Sequence, residues 1–155
     1  MQPYSDKHLT DAEIKKFVRE TGWKLHENSG RYKVCDSIEE AKNFLEKNLD
    51  KTFYCKSICA HFTLDVHTAE HFFGKNRNSE DYVRRSKLLS MGLEILEESD
   101  ILLVVDTISG QREHVVYYEI LGRDTRAPKK IINAKLSEIK DQGKIFWTVV
   151  DIDCA

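Results

Sequence analysis

Residues 101–121, ILLVVDTISGQREHVVYYEIL, are where the chain changes character. Ile101–Val105 is an unbroken apolar run, the pattern of a strand covered on both faces. A polar loop, Thr107–Glu113, carries Ser109-Gly110. His114–Leu121 then alternates and is rich in Val and Tyr, which suit a pleated, half-buried surface. Beyond it, Arg123–Pro128 is a basic connection and Lys129–Leu136 reads as the next strand. Asp141-Gln142-Gly143-Lys144 carries turn chemistry, and Ile145–Ile152, IFWTVVDI, is the last strand. Upstream of Asp100 the pattern is mainly helical. Helices first and strands afterwards predict an α+β chain, with N-terminal helices packed on a four- to five-stranded antiparallel sheet.

The upstream helices have start signals that can be named. Thr10 and Glu13 fit a capping box, each side chain bonding the other residue's backbone N–H. Ile14, Phe17 and Val18 form an apolar stripe behind it, and Gly22 is a stop. Ser37 and Glu40 repeat the start signal, followed by Ala41, Phe44, Leu45 and Leu49. A third helix spans 80–98, with Leu88, Leu89, Met91, Ile95 and Leu96 inward; Met91 reads as core filling. Between the first two, Trp23–Val34 has a turn at Asn28-Ser29-Gly30 and suits a short hairpin, WKLHE against RYKVC. Residues 1–9 read as a loose arm.

With 155 residues, the chain is expected to form one domain over 1–155, helical over 1–50. Apolar residues make up 41% and charged ones 32%, as in water-soluble globular proteins. A net charge of −2 excludes blanket affinity for nucleic acid but allows a local basic pocket. No apolar run is long enough to cross a membrane, and the first residues lack a signal-peptide core. The expectation is a cytoplasmic protein without a membrane partner, whose cysteines at 35, 55, 59 and 154 are reduced thiols.

The densest ionisable chemistry lies in 53–73, FYCKSICAHFTLDVHTAEHFF. Its first half alternates like one strand, with Tyr54, Ile58, Ala60, Phe62 and Leu64 on one face and Cys55, Ser57, Cys59, His61 and Thr63 on the other. Its second half reads as a short helix over 68–73, where His67 and His71 share a face at four-residue spacing. A single histidine is usually a polar surface group or a satisfied core residue, but three within eleven positions shift that balance. Three chemistries compete for them. Zinc takes Cys and His in a tetrahedral array, yet Cys55 and Cys59 on one straight strand would stand about 13 Å apart, so no metal or cofactor is assigned. Two-histidine phosphoesterases need a pair of His-x-Ser/Thr motifs, and only His61-Phe62-Thr63 fits. Metal-independent RNA cleavage needs a base, an acid and cations for the phosphorane charge. Histidine fills both proton roles near neutrality. Lys75, Arg77, Arg84 and Arg85 lie just downstream, and Arg123, Arg126, Lys129 and Lys130 follow. For any one of these cations a solvated helix or loop face is the plainer reading.

Four segments set the layout: HTAEH at 67–71, a helix ending in ILEESDILLVV, KKIINAKL at 129–136 and GKIFWTVV at 143–150. In layout, residues 60–152 resemble the phage-associated branch of the barnase/EndoU/colicin/RelE-like RNase superfamily. That resemblance implies a metal-independent RNase or phosphodiesterase of phage or toxin type, with an RNase-like α+β core over 51–155. It marks His67 and His71 as proton-transfer residues and Thr148 as a last-strand residue facing the site. Lys75 or Arg77 would be the basic residue that follows; beside the resemblance, the clustering of cations and histidines itself adds Arg84, Arg85 and His61 as candidate substrate contacts. The implied partners are RNA and a protein inhibitor or host target. Two alternatives stand beside it. One is a non-catalytic binding protein on the same fold: an immunity protein, an antitoxin or a phage anti-defence inhibitor, anchored by Trp23 or Trp147. The other is a Cys/His zinc protein.

Overall fold

In the computed structural model, the described residues are 4–5, 9–49, 51–64, 79–100, 102–107, 115–139 and 147–154. In chain order the elements are β1 (Tyr4–Ser5), α1 (Asp11–Thr21), β2 (His26–Glu27), α2 (Ile38–Asn48), β3 (Thr52–Cys55), β4 (Ala60–Thr63), α3 (Ser79–Glu98), β5 (Leu102–Thr107), β6 (Val115–Asp124), β7 (Ala127–Ile139) and β8 (Trp147–Cys154). The chain is α+β. The expected short helix at 68–73 and the turn at 141–144 lie outside the described residues.

Local chemistry explains the helix ends. The Thr10 hydroxyl accepts from the Glu13 N–H and the Glu13 carboxylate takes the Thr10 N–H, both at 3.2 Å, closing the expected capping box. Gly22 ends α1 at φ 63°, a left-handed conformation that glycine enters without a Cβ penalty. At α2, Ser37 accepts from the Glu40 N–H as expected, but the Glu40 carboxylate bonds the Asp36 N–H at 2.6 Å, one residue earlier than a capping box requires.

The four strands β5–β8 form a continuous antiparallel meander. The sheet is mixed because three further strands join it by parallel pairing: β1 along β5, β2 along β6 and β4 along β8, with β3 antiparallel to β4 at the end. Two expectations change here. Residues 4–5 pair with Val104 and Val105, so part of the expected loose arm is a strand. Residues 23–34 do not close on themselves as a hairpin; His26 and Glu27 pair with Gly122 and Arg123. In the loop that follows, the Ser29 and Arg31 N–H groups go to a carboxylate of α3 instead of to a return strand.

The stretch read as one strand over 53–64 is a tight hairpin, β3 against β4, with Cys59 at φ 51° in the turn. The reversal splits the expected alternation. Phe62 and Leu64 point into the core as predicted, whereas in β3 it is Cys55 that is buried and Tyr54 that is exposed.

Helices cover both sheet faces. From Arg85 to Leu96, every residue of α3 except Lys87 is buried, because α3 lies between the sheet and α2. Its side chains join Phe62, Leu64, Ile120, Ile132, Ala134 and Leu136 in one cluster. On the opposite face α1 supplies Ile14 and Val18 to a smaller cluster with Leu25, Leu103, Leu121 and Ile131. Alternation along β6 shows the division: Ile120 faces α3 and Leu121 faces α1. Among the described residues, no helix is long and apolar enough to cross a membrane.

Candidate nucleic-acid interface

A cleft of about 150 Å³ opens between α3 and the β6–β7 hairpin. Its floor is apolar, made by Leu88, Met91 and Ile132, and its rim carries Arg84, Lys87, Arg126 and Lys130. Spacing along α3 builds one wall. Arg84 and Lys87 are three apart and Leu88 follows one turn after Arg84, so they share a helical face. The hairpin builds the other wall. Asp124 accepts from the Arg126 N–H at 2.9 Å and from its Nε at 3.3 Å. That grip lays the guanidinium over the floor, with Nη2 3.8 Å from Met91 Sδ. Asp124 is the sole carboxylate among the described lining residues, and it is already engaged.

The two walls are tied together by the loop after β2. Asn28 donates its N–H to the Arg123 carbonyl at 3.0 Å and accepts the Thr125 N–H at 2.9 Å, which holds the hairpin tip. The same loop clasps α3 through Glu94. This buried carboxylate accepts from the Ser29 N–H at 2.8 Å and the Arg31 N–H at 3.0 Å, and it lies 2.6 Å from His26 Nε2. Burial alone would push the Glu94 carboxyl up, but the His26 bond and the two amides outweigh it and hold the group below its ordinary value.

The predicted cations separate by helical geometry. Arg84 reaches the cleft with Arg126 and Lys130. Arg85 does not: it is 3% exposed and turned inward, because consecutive helical residues point about 100° apart. Arg84 and Arg85, both expected as substrate contacts, therefore lie in different surroundings, and it is Lys87 that stands beside Arg84 at the cleft.

His61 is exposed on β4, its ring 5.2 Å from that of Tyr54 in edge contact. Its neighbour Phe62 faces α3, so His61 lies on the opposite sheet face from the cleft. Thr148 is placed by backbone register between Thr63 of β4 and Ser137 of β7. The same register extends to Thr52 and Tyr117, a cross-strand row of five hydroxyl-bearing residues. His67, His71, Lys75 and Arg77 lie outside the described residues.

The zinc reading assumed Cys55, Cys59 and His61 on one strand face. The hairpin places Cys55 in the core and Cys59 in the exposed turn. Among the described residues, no group of three or more His, Cys, Asp or Glu side chains could hold a metal ion.

Sequence reasoning missed Lys87, His26 and Glu94. Glu94 carried a signal: it stands between Leu93 and Ile95 in a helix segment too apolar to present a solvent face, so it needed a buried partner. It also missed Glu119, fully buried on the sheet face opposite α3, with Lys135 Nζ 3.7 Å from its carboxylate. Comparisons with family models, with curated proteins and with solved structures found no match.

Proposed function

We propose that this protein is an RNA-directed phosphodiesterase and that the cleft between α3 and the β6–β7 hairpin seats the RNA backbone. One observation carries this reading. In a chain of net charge −2, Arg84, Lys87, Arg126 and Lys130 gather round one cleft whose single described carboxylate, Asp124, offsets only Arg126, so positive charge is in excess among the described lining residues. Such local positive potential is what a phosphate chain seeks, and cations aimed at a phosphoryl group stabilise the charge that develops on it. The order α3 and then the meander β5–β8 supports the RNase-like layout. In this reading His67 and His71 exchange protons with the 2′-hydroxyl and the leaving 5′-oxygen.

The test uses labelled RNA with EDTA present, and wild type, His71→Ala and Arg84→Ala/Lys130→Ala proteins. Wild type is expected to cleave and His71→Ala to lose cleavage. The double variant should bind more weakly, with its log K against log salt slope reduced by about 1.4, or about 0.7 for each single-strand phosphate contact removed. Binding without cleavage in wild type would make the chain a non-catalytic binding protein of the same fold. An unchanged affinity and salt slope in the double variant would remove the cleft from the interface.

A further inference from the structure

A second basic cleft lies on the other side of the same hairpin. It has a volume of about 570 Å³ and is bounded by Lys15, Arg19, Trp23, Arg123 and Ile131. No acidic residue is among its described lining residues. Lys15 and Arg19 are exposed and four apart on α1, so their Cβ atoms stand about 5–6 Å apart on one helical face. Gly22 stops α1 and turns the chain so that Trp23 follows at the cleft wall. Trp23 is half-buried, and its indole is fixed by edge contact with Phe17, with ring centroids 5.4 Å apart and planes at 89°. The site therefore combines a held aromatic ring with three cations.

The β6–β7 hairpin links this cleft to the first. Arg123 lines the α1 side, while Arg126 and Lys130 line the α3 side. Between them the chain reverses through the exposed pair Thr125-Arg126. Basic side chains thus stand on both sheet faces at a two-residue turn, with Asp124 between them held by Arg126. A stiff duplex cannot follow that path, whereas a single strand can bend over the tip and present an unpaired base to the indole. Aromatic stacking combined with a cationic groove is the recurrent chemistry of single-strand recognition.

Building on the reading of the α3 cleft as a phosphate seat, we propose that Lys15, Arg19, Trp23 and Arg123 form a second subsite for single-stranded RNA, in which a base stacks on Trp23 and the strand crosses the hairpin tip between the two clefts.

The experiment measures binding of a fluorescein-labelled 12-nucleotide oligouridylate and of a 12-base-pair RNA duplex across a salt series. The proteins are wild type, Lys15→Ala/Arg19→Ala, Trp23→Ala, Trp23→Phe and Arg84→Ala/Lys130→Ala. Wild type should prefer the single strand. Lys15→Ala/Arg19→Ala changes two exposed side chains and should reduce the salt slope by about 1.4 without altering the melting temperature. Trp23→Ala should weaken single-strand binding about tenfold, and Trp23→Phe should restore much of it because a phenyl ring still stacks. The single strand should quench tryptophan emission in wild type and less so in Trp23→Phe. The proposal is overturned if neither the α1-side charges nor the indole changes affinity or quenching; loss in Arg84→Ala/Lys130→Ala alone would then keep the first cleft. Loss on the α1 side alone would overturn the first cleft instead, and wild type that binds neither RNA overturns both. Equal affinity for duplex and single strand overturns the single-strand path.

Discussion

Replacing Glu94 with alanine is expected to destabilise the fold by about 3–5 kcal/mol, the range for breaking a buried, hydrogen-bonded charge network. The carboxylate is 1% exposed and collects the Ser29 and Arg31 amides, with His26 at 2.6 Å. Removing it leaves those donors without their acceptor and opens a void between α3 and the 26–31 loop. Glu94→Gln keeps the volume but offers one acceptor oxygen in place of two, so it should cost less than alanine and more than a surface change. The pH dependence has a definite sign. The Glu94 carboxyl is held below its ordinary value in the folded state, so the unfolded chain binds its proton more readily. The resulting stabilisation is complete above the unfolded carboxylate pKa of about 4.3 and is lost as pH falls through the depressed folded value. Urea midpoints of wild type, Glu94→Gln and Glu94→Ala between pH 3 and 7 check both points. Wild type should lose part of its advantage over Glu94→Gln at the acid end. A Glu94→Ala midpoint close to wild type at neutral pH would show that the carboxylate does not hold the loop.

What could be read in the sequence was local. Thr10 with Glu13, Gly22 after α1 and the apolar face of α3 each depend on residues within a few positions of one another, and each has its physical reason within that window. The unbroken apolar run of β5 was legible for the same reason, since Leu103 and Val104 pack into clusters on opposite sheet faces, and so was the Val- and Tyr-rich alternation of β6. Long-range pairing left little trace. Residues 4–5 and 26–27 become strands because β5 and β6 offer them open edges, and two residues carry no period of their own. The hairpin at 52–63 shows a subtler failure. Its alternation looks continuous through Lys56–Cys59, but Cys59 enters the left-handed region and the chain reverses, which turns one half over relative to the other.

The candidate interface was legible as composition and not as geometry. Sequence order grouped Arg84 with Arg85 because they are adjacent, and the helix separates them. It kept Arg126 and Lys130 apart from Arg84 because some forty residues intervene, and the sheet brings them together. Lys87 has no feature in the sequence that sets it apart from an ordinary helix cation, and the opposite wall is what gives it a place in the cleft. Trp23 stood out as an aromatic, but its cationic surroundings come from α1 and β6 and could not be assembled without the fold.

Gly122 offers a second large effect, because it pairs with His26 of β2 and lies against Ile95 of α3. A Cβ at this position would stand 2.5 Å from Ile95 Cγ1, 2.7 Å from Ile95 Cδ1 and 3.1 Å from the His26 carbonyl oxygen. Contacts near 2.5 Å are not tolerated, so either Ile95 changes rotamer inside a packed core or β6 moves away from α3. Gly122→Ala should therefore cost about 1–3 kcal/mol, as overpacking does, and Gly122→Val more, since two further methyls meet the same side chain. Ile95→Ala removes both Cγ1 and Cδ1 and on its own should cost about 2–5 kcal/mol. In the double variant Gly122→Ala/Ile95→Ala the void made by one change receives the methyl of the other, so the combined loss should be smaller than the sum by more than the 0.3–0.5 kcal/mol scatter of independent sites. Additive losses would mean that the restriction at Gly122 comes from the His26 carbonyl and the parallel pairing of β2, not from the isoleucine. In that case Gly122→Ala should also loosen the loop that Glu94 holds, and faster hydrogen exchange at the Ser29 and Arg31 amides would register it.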